Sequence, residues 1–245
     1  MTLRRGLPEQ IAASLGQQIV GGIIPSGAPL PIEADLMSTY SVSRPVLREA
    51  MKILASKGLV DVRQKVGTRA TDRGLWSLLD ADVLAWHMAA DIDSHDLLFQ
   101  LVEVREIIEP QASRLAAERG TDEQLEQIRA AYEDMWSALR KDDNEAFIDA
   151  DLCFHAGIVA ASNNLLLQQM NSAIASALRL SRDVTIQVPN SNLEAMPLHE
   201  ALLKRILRRQ ASAAQRAAER LIARTSSDIA VVIGGRVEGG AEYVS

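Results

Sequence analysis

The chain has 245 residues, room for one large or two ordinary domains, and 47% of them are hydrophobic while only 4% are aromatic, which points to a helical protein with a core of Leu, Ile, Val and Ala. A single cysteine, Cys153, excludes an internal disulfide and fits a reducing cytoplasm; no apolar run is long enough for a membrane span, and no apolar stretch follows Arg4 and Arg5 to make a secretory signal. The net charge of −6 argues against nucleic acid until it is divided: residues 1–75 hold ten Lys/Arg and six Asp/Glu, residues 76–245 sixteen and twenty-six, so a basic head precedes an acidic body.

In chain order, Ile11, Leu15, Ile19 and Val20 recur at helical spacing and predict a first helix from about Pro8 to Gly21. Pro25, Gly27, Pro29 and Pro31 then make a stiff loop. A short helix is expected over 33–40 and a longer one over 44–57, where Leu47, Ala50, Met51 and Leu54 form an inward stripe. Gly58 stops it, and 59–62 and 68–70 pair as a hairpin around Gln64, Lys65 and Gly67. Helix, turn, basic helix and β-ribbon outline a winged helix-turn-helix over 1–74, a fold that places one helix in the DNA major groove. A connector helix follows at 75–90. Helices near 94–119, 122–140, 144–161, 164–182, 195–209 and 211–232 make an all-α bundle over 91–233. Gly120 and Thr121 mark one helix boundary, and Asn163–Asn164 and Pro189–Asn190 mark others. The glycine-rich end, 234–245, is expected to be a disordered tail. The fold class is therefore mainly α, with one small β-hairpin wing.

Arg44 and Arg48 lie one turn apart, on the side of their helix opposite the apolar stripe. Arginine reads guanine bidentately, each good pair being worth about 1–3 kcal/mol of discrimination. Ser43 is placed to cap the helix and reach a phosphate, and Pro45 suits the first turn. Arg63 and Lys65 in the wing can touch phosphate or the minor groove. A solvated basic face is the plain alternative, weakened by the helix-turn-helix around it.

In the bundle, Asp151 and His155 fall inside the apolar arc of Ile148, Leu152, Ile158 and Val159. His199 falls inside the arc of Leu198, Leu202 and Ile206, and Arg105 sits among Leu97, Leu98, Leu101 and Ile108. Ionisable groups facing a core are costly unless paired. Two readings stay open on spacing alone: a divalent-metal site of Asp151, His155 and His199, suited to zinc foremost and also to nickel, manganese or iron, or a buried Asp–His hydrogen bond with His199 unrelated. In the first reading Arg105 grips the carboxylate of an effector. Trp76 and Trp86 read as anchors of the connector, and Cys153 as a packing thiol.

The stretch Leu30, Pro31, Glu33, Leu36, then Val42, Ser43, Arg44, Leu47, Arg48, Glu49, Ala50, Leu54, Gly58, Leu59 and Val60 resembles the signature of the GntR family of bacterial transcription regulators. The resemblance implies a homodimer reading a palindromic operator, with Arg44 and Arg48 as base readers and the wing tip near Gly67 in the minor groove. Ala34 departs from it, standing where many relatives carry a basic residue. The D-x-x-F-H of Asp151 to His155 and the H-x-x-L at His199 resemble the FadR subfamily and its FCD ligand domain. There the matching positions, here Asp151, His155 and His199, bind a divalent metal in many members, and Arg105 would face the effector. Arg179, Arg182 and Asn192 are secondary pocket candidates. A further histidine of that pattern is missing, the region holding Ala177, Leu178 and Arg179. The strings at 76–86 and 17–31 are similar to regulators of galactonate and related sugar-acid catabolism. The expectation is a cytoplasmic repressor released by a sugar acid. A fatty-acyl regulator without metal and, more distantly, a metal-dependent enzyme are the alternatives.

Overall fold

The computed structural model describes residues 6–63, 67–90, 94–170, 175, 179, 182, 185–186 and 188–240. They fall into two compact units that divide at Ser94–His95. The first holds α1 (Leu7–Val20), α2 (Glu33–Tyr40), α3 (Arg44–Ser56), β1 (Val60–Arg63), β2 (Gly67–Ala70) and α4 (Ala81–Ala89). Leu15 of α1, Leu36 of α2 and Leu47, Ala50 and Leu54 of α3 are buried in one core. Between α2 and α3 the chain turns on Ser41, whose φ of 52° and ψ of 47° are left-handed. Such a conformation costs a residue with a Cβ about 1 kcal/mol. The bond from Val42 N–H to Met37 O, 3.1 Å long, closes the turn.

The strands β1 and β2 pair antiparallel, from Val60 with Ala70 to Arg63 with Gly67. Pro29 bridges to Arg69, so the proline loop lies along β2. Gly58 is obligatory between α3 and β1: its φ is +75°, and a Cβ there would stand 2.1 Å from the Leu75 carbonyl oxygen.

Residues 75–90, expected as a separate connector, pack into this first unit. The Trp86 ring lies so close to Gly16 of α1 that a Cβ on that residue would stand 2.3 Å from it. Lys57 is 2.6 Å from Asp80 and 3.0 Å from Asp82. Trp86 is thus a core residue of the head, and a glycine inside α1 makes the room.

The second unit holds α5 (Ser94–Arg119), α6 (Asp122–Arg140), α7 (Asn144–Ala161), α8 (Ser191–Leu207) and α9 (Ala211–Gly240), with a further helical stretch at 165–170. Thr121 and Gln124 form a reciprocal capping box at the start of α6. The core joins Leu125, Ile128 and Met135 of α6, Phe147 and Phe154 of α7 and Ile206 of α8 to the small residues Ala112, Ala116, Ala214 and Ala218 of α5 and α9. Burying each of the larger side chains is worth about 1.5–3 kcal/mol. Two expectations are corrected. The helix expected from 195 begins at Ser191, because Asn190, at φ 60°, takes the left-handed turn. Residues 234–240, expected in a disordered tail, continue α9: no proline intervenes, and the glycines weaken a helix without stopping it. Nine of the nineteen residues of the helix expected over 164–182, and the tail residues 241–245, lie outside the described residues.

Candidate functional site

Leu47, Ala50 and Leu54 are fully buried, which turns the opposite face of α3 outward. Arg44 and Arg48 stand there with 62% and 64% of their side chains exposed. Glu33, the first residue of α2, reaches both: its Oε2 is 3.3 Å from Arg44 Nε and its Oε1 is 3.6 Å from Arg48 Nε. Exposed pairs of this kind contribute about 0–1 kcal/mol, so they bias the two side chains without locking them away from a base edge. Ser43 occupies the N-cap position of α3 with extended backbone, but its hydroxyl makes no capping bond. The carbonyl of Ser43 accepts from Leu47 N–H, and the residue is exposed. Gly67 opens β2 with φ 93°. Lys65 and the side chain of Arg63 lie outside the described residues.

In the second unit the core-facing polar groups converge. Asp151 and His155 come from α7, one turn apart, His199 from α8, and Arg105 from α5; each is buried. Metal-donor atoms of Asp151, His155 and His199 all lie within 4.8 Å of one another. Two further residues complete the cluster. Glu109, one turn after Arg105 on α5, accepts from Arg105 Nε at 2.7 Å through Oε1 and stands 2.8 Å from His155 Nδ1 through Oε2. Arg182 clamps Asp151 bidentately, Nε to Oδ2 at 2.6 Å and Nη2 to Oδ1 at 3.0 Å. His199 Nδ1 lies 3.0 Å from the Ala195 carbonyl oxygen, and Phe154 meets both imidazoles edge to face.

These contacts fix the protons. Burial alone would push the Glu109 carboxyl up, but Arg105 and His155 hold it well below the usual carboxylate range. Asp151 is likewise favoured for protonation by burial, yet Arg182 and the two histidines hold it well below that range. His199 is lowered chiefly by burial, with Arg182 adding to it, against the pull of Asp151. A carboxylate and a carbonyl only accept, so each imidazole carries a proton on Nδ1, and in its neutral form has its lone pair on Nε2. Among the described residues, neither Nε2 has a hydrogen-bond partner. His199 Nε2 is 3.0 Å from Asp151 Oδ1 and His155 Nε2 3.7 Å from it, the first close but off the line of a hydrogen bond. Two buried lone pairs beside a carboxylate, each ring oriented from behind, are a donor set that fits a divalent metal. Ligands held at about 2.1 Å in a tetrahedron stand about 3.4 Å apart, between the 3.0 and 3.7 Å that separate Asp151 Oδ1 from the two Nε2 atoms. The opposing feature is Arg182, which shares Oδ1.

The structure thus brings together Asp151, His155, His199 and Arg105, and adds Arg182 in a role other than the one expected: it grips Asp151. It does not bring Arg179 or Asn192 to this cluster. Arg179 is drawn outward by Asp149 and Glu145 on the exposed side of α7. Asn192 lines a separate hollow with Asn144 and Pro189. Cys153, expected to pack, is exposed, because two residues, or about 200° of helical turn, separate it from buried Asp151 and place it on the opposite side of α7. Glu109 was missed, although it lies on the same arc that singled out Arg105, one turn further along.

The chain was compared with known proteins. Residues 7–69 match the family described as bacterial regulatory proteins, gntR family, and residues 100–224 match the FCD domain; some FCD domains bind a metal. The galactonate operon transcriptional repressor of Escherichia coli K12 is 35% identical over 224 residues, covering 91% of this chain and 96% of the relative. The transcriptional repressor NanR of Cronobacter sakazakii is 30% identical, covering 87% and 82%. Among solved structures, a GntR protein of Streptococcus agalactiae aligns with a TM-score of 0.51 at 26% identity, covering 90% of this chain and 99% of that one. Listeria monocytogenes Lar shares the fold, with a TM-score of 0.66 at 18% identity and coverage of 93% and 98%. No helix among the described residues is long and apolar enough to cross a membrane. The chain belongs to the gntR family of bacterial regulatory proteins, as a DNA-binding transcription regulator with a C-terminal FCD domain and not an enzyme.

Proposed function

We propose that this protein is a cytoplasmic repressor of sugar-acid catabolism, released from its operator by an aldonate of the galactonate kind. It reads a palindromic operator as a homodimer, the assembly that two-fold symmetric half-sites require. Arg44 and Arg48 read bases, Ser43 holds a phosphate, and Arg63, Lys65 and Gly67 serve the wing. Asp151, His155 and His199 hold a divalent metal, zinc foremost, with nickel, manganese or iron fitting the same donors. When bound, the metal supplies positive charge and open coordination positions for oxygen ligands.

One observation carries this reading: Arg105 is 1% exposed, its Nε is used by Glu109, and Nη1 and Nη2 have no hydrogen-bond partner among the described residues. A buried guanidinium with an unused fork calls for a planar anion, and a carboxylate matches it bidentately. The charge balance agrees. The carboxylates of Glu109 and Asp151 face the guanidiniums of Arg105 and Arg182, so the cluster is neutral while its imidazoles are neutral. A divalent ion leaves an excess of positive charge, which an anionic effector offsets. The ligand shifts DNA affinity only through a different affinity for two arrangements of the protein.

Thermal melts with galactonate, with and without a chelator, test the pocket, and operator-shift assays with the same acid test control. The expected result is a chelator-sensitive rise in melting temperature together with loss of operator binding. Operator affinity that ignores galactonate and every related aldonate overturns the effector assignment, and a metal-free protein that takes up none of the four ions overturns the metal.

A further inference from the structure

We infer that Glu109 is the positioning residue of the buried cluster, the group that fixes which nitrogen of His155 is open to a metal. The inference rests on the proposed metal reading, and it concerns a residue outside the three donors.

The geometry is that of one carboxylate with both oxygens committed. Oε1 accepts from Arg105 Nε at 2.7 Å and Oε2 meets His155 Nδ1 at 2.8 Å. Glu109 is 5% exposed, His155 3% and Arg105 1%, so water does not compete for these bonds. Arg105 donates to one oxygen, and its positive charge favours the ionised carboxylate, which accepts on both. His155 therefore presents Nδ1–H to it, and in the neutral ring the lone pair lies on Nε2, the atom on the Asp151 and His199 side. His199 has a backbone carbonyl behind it instead, at 3.0 Å. A carbonyl is built into the helix and cannot be changed by substitution, whereas the orientation of His155 depends on one side chain. Arg105, in turn, is aimed by the same carboxylate, so the anion fork and the metal-facing nitrogen are set by a single group.

Glu109→Gln separates this role from packing, since the two side chains have nearly the same shape. The amide has one acceptor and one donor. With its oxygen on Arg105, it offers N–H to His155 Nδ1, which must then accept, and the ring proton moves to Nε2. Nitrogen-15 NMR of the metal-free proteins reads this directly: His155 carries its proton on Nδ1 in the wild type and on Nε2 in Glu109→Gln. Competition against a chromophoric chelator with Zn2+ alone is expected to show affinity reduced 10–100-fold in the variant, the range usual for partners of metal-binding histidines. Glu109→Asp, which keeps both acceptors, should retain the Nδ1–H form. A wild-type His155 protonated on Nε2 overturns the inference whether or not any variant folds, as does a Glu109→Gln protein with unchanged tautomer and unchanged Zn2+ affinity. Should the wild type take up no metal, the proposed metal centre fails on its own, and the tautomer comparison in the metal-free protein still decides what Glu109 does.

Discussion

The two units carry their cations in opposite ways. In the head, Arg44 and Arg48 stand in solvent and lean loosely on Glu33. In the bundle, Arg105 and Arg182 are buried and each is tied to a carboxylate at 2.6–2.7 Å. An exposed guanidinium is available to any long polyanion, and its local pairing is weak enough for DNA to replace. A buried one is available only to a ligand that enters, and its pairing is strong because breaking it leaves a charge unpaired in the interior. The same side chain thus stands open to solvent in one unit and forms part of an internal lock in the other.

The contrast is sharpest for stability. Asp151→Ala should lower the stability of the second unit by about 3–5 kcal/mol, because Arg182 is left buried without its partner. Chemical denaturation followed in that unit measures it. Adding Arg182→Met removes the stranded charge and should recover part of the loss; if the double variant is no more stable than Asp151→Ala, the clamp is not the cause.

Arg44→Ala should leave stability nearly untouched and cost about 1–3 kcal/mol in binding to the specific operator. Gel-shift titrations against operator and unrelated DNA compare the two. An equal loss on both would make Arg44 a phosphate contact and blur the distinction between the units.

The smallest expected effect is in pH. Glu109 and Asp151 have depressed folded-state pKa values. Their stabilising share is complete above the ordinary carboxylate range and is lost as pH falls through that range toward the folded values. His199 is also depressed, so below about pH 6.5 the unfolded chain binds a proton that the folded one resists, and stability falls further. Metal-free melts from pH 7.5 down to 4 should therefore show a steady decline, beginning near the histidine range. A second unit as stable at pH 5 as at pH 7.5 would contradict the buried neutral imidazole.

The head was legible because its information is local. The inward stripe of Leu47, Ala50 and Leu54, the arginines opposite it and the glycine stop at 58 lie within a few turns of one another, and the fold leaves them where helical spacing puts them. Asp151, His155 and His199 were legible for a related reason: charged groups on apolar arcs announce that something buried must satisfy them. What satisfies them was not local. Arg182 reaches Asp151 across 31 positions, with no spacing rule to connect them. Arg179, three residues earlier on the same stretch, instead pairs with acidic groups on the outer side of α7. Trp86 was misplaced because only the fold shows that Gly16 leaves a slot for its ring.

Arg182 has one more consequence. The bundle carries its own resident cation for Asp151, so scarcity of metal does not leave a lone negative charge at its centre. On the proposed metal reading the consequence is kinetic: an arriving divalent ion would meet a seat already taken at Oδ1, and loading would be an exchange whose pace is set by how readily the guanidinium lets go.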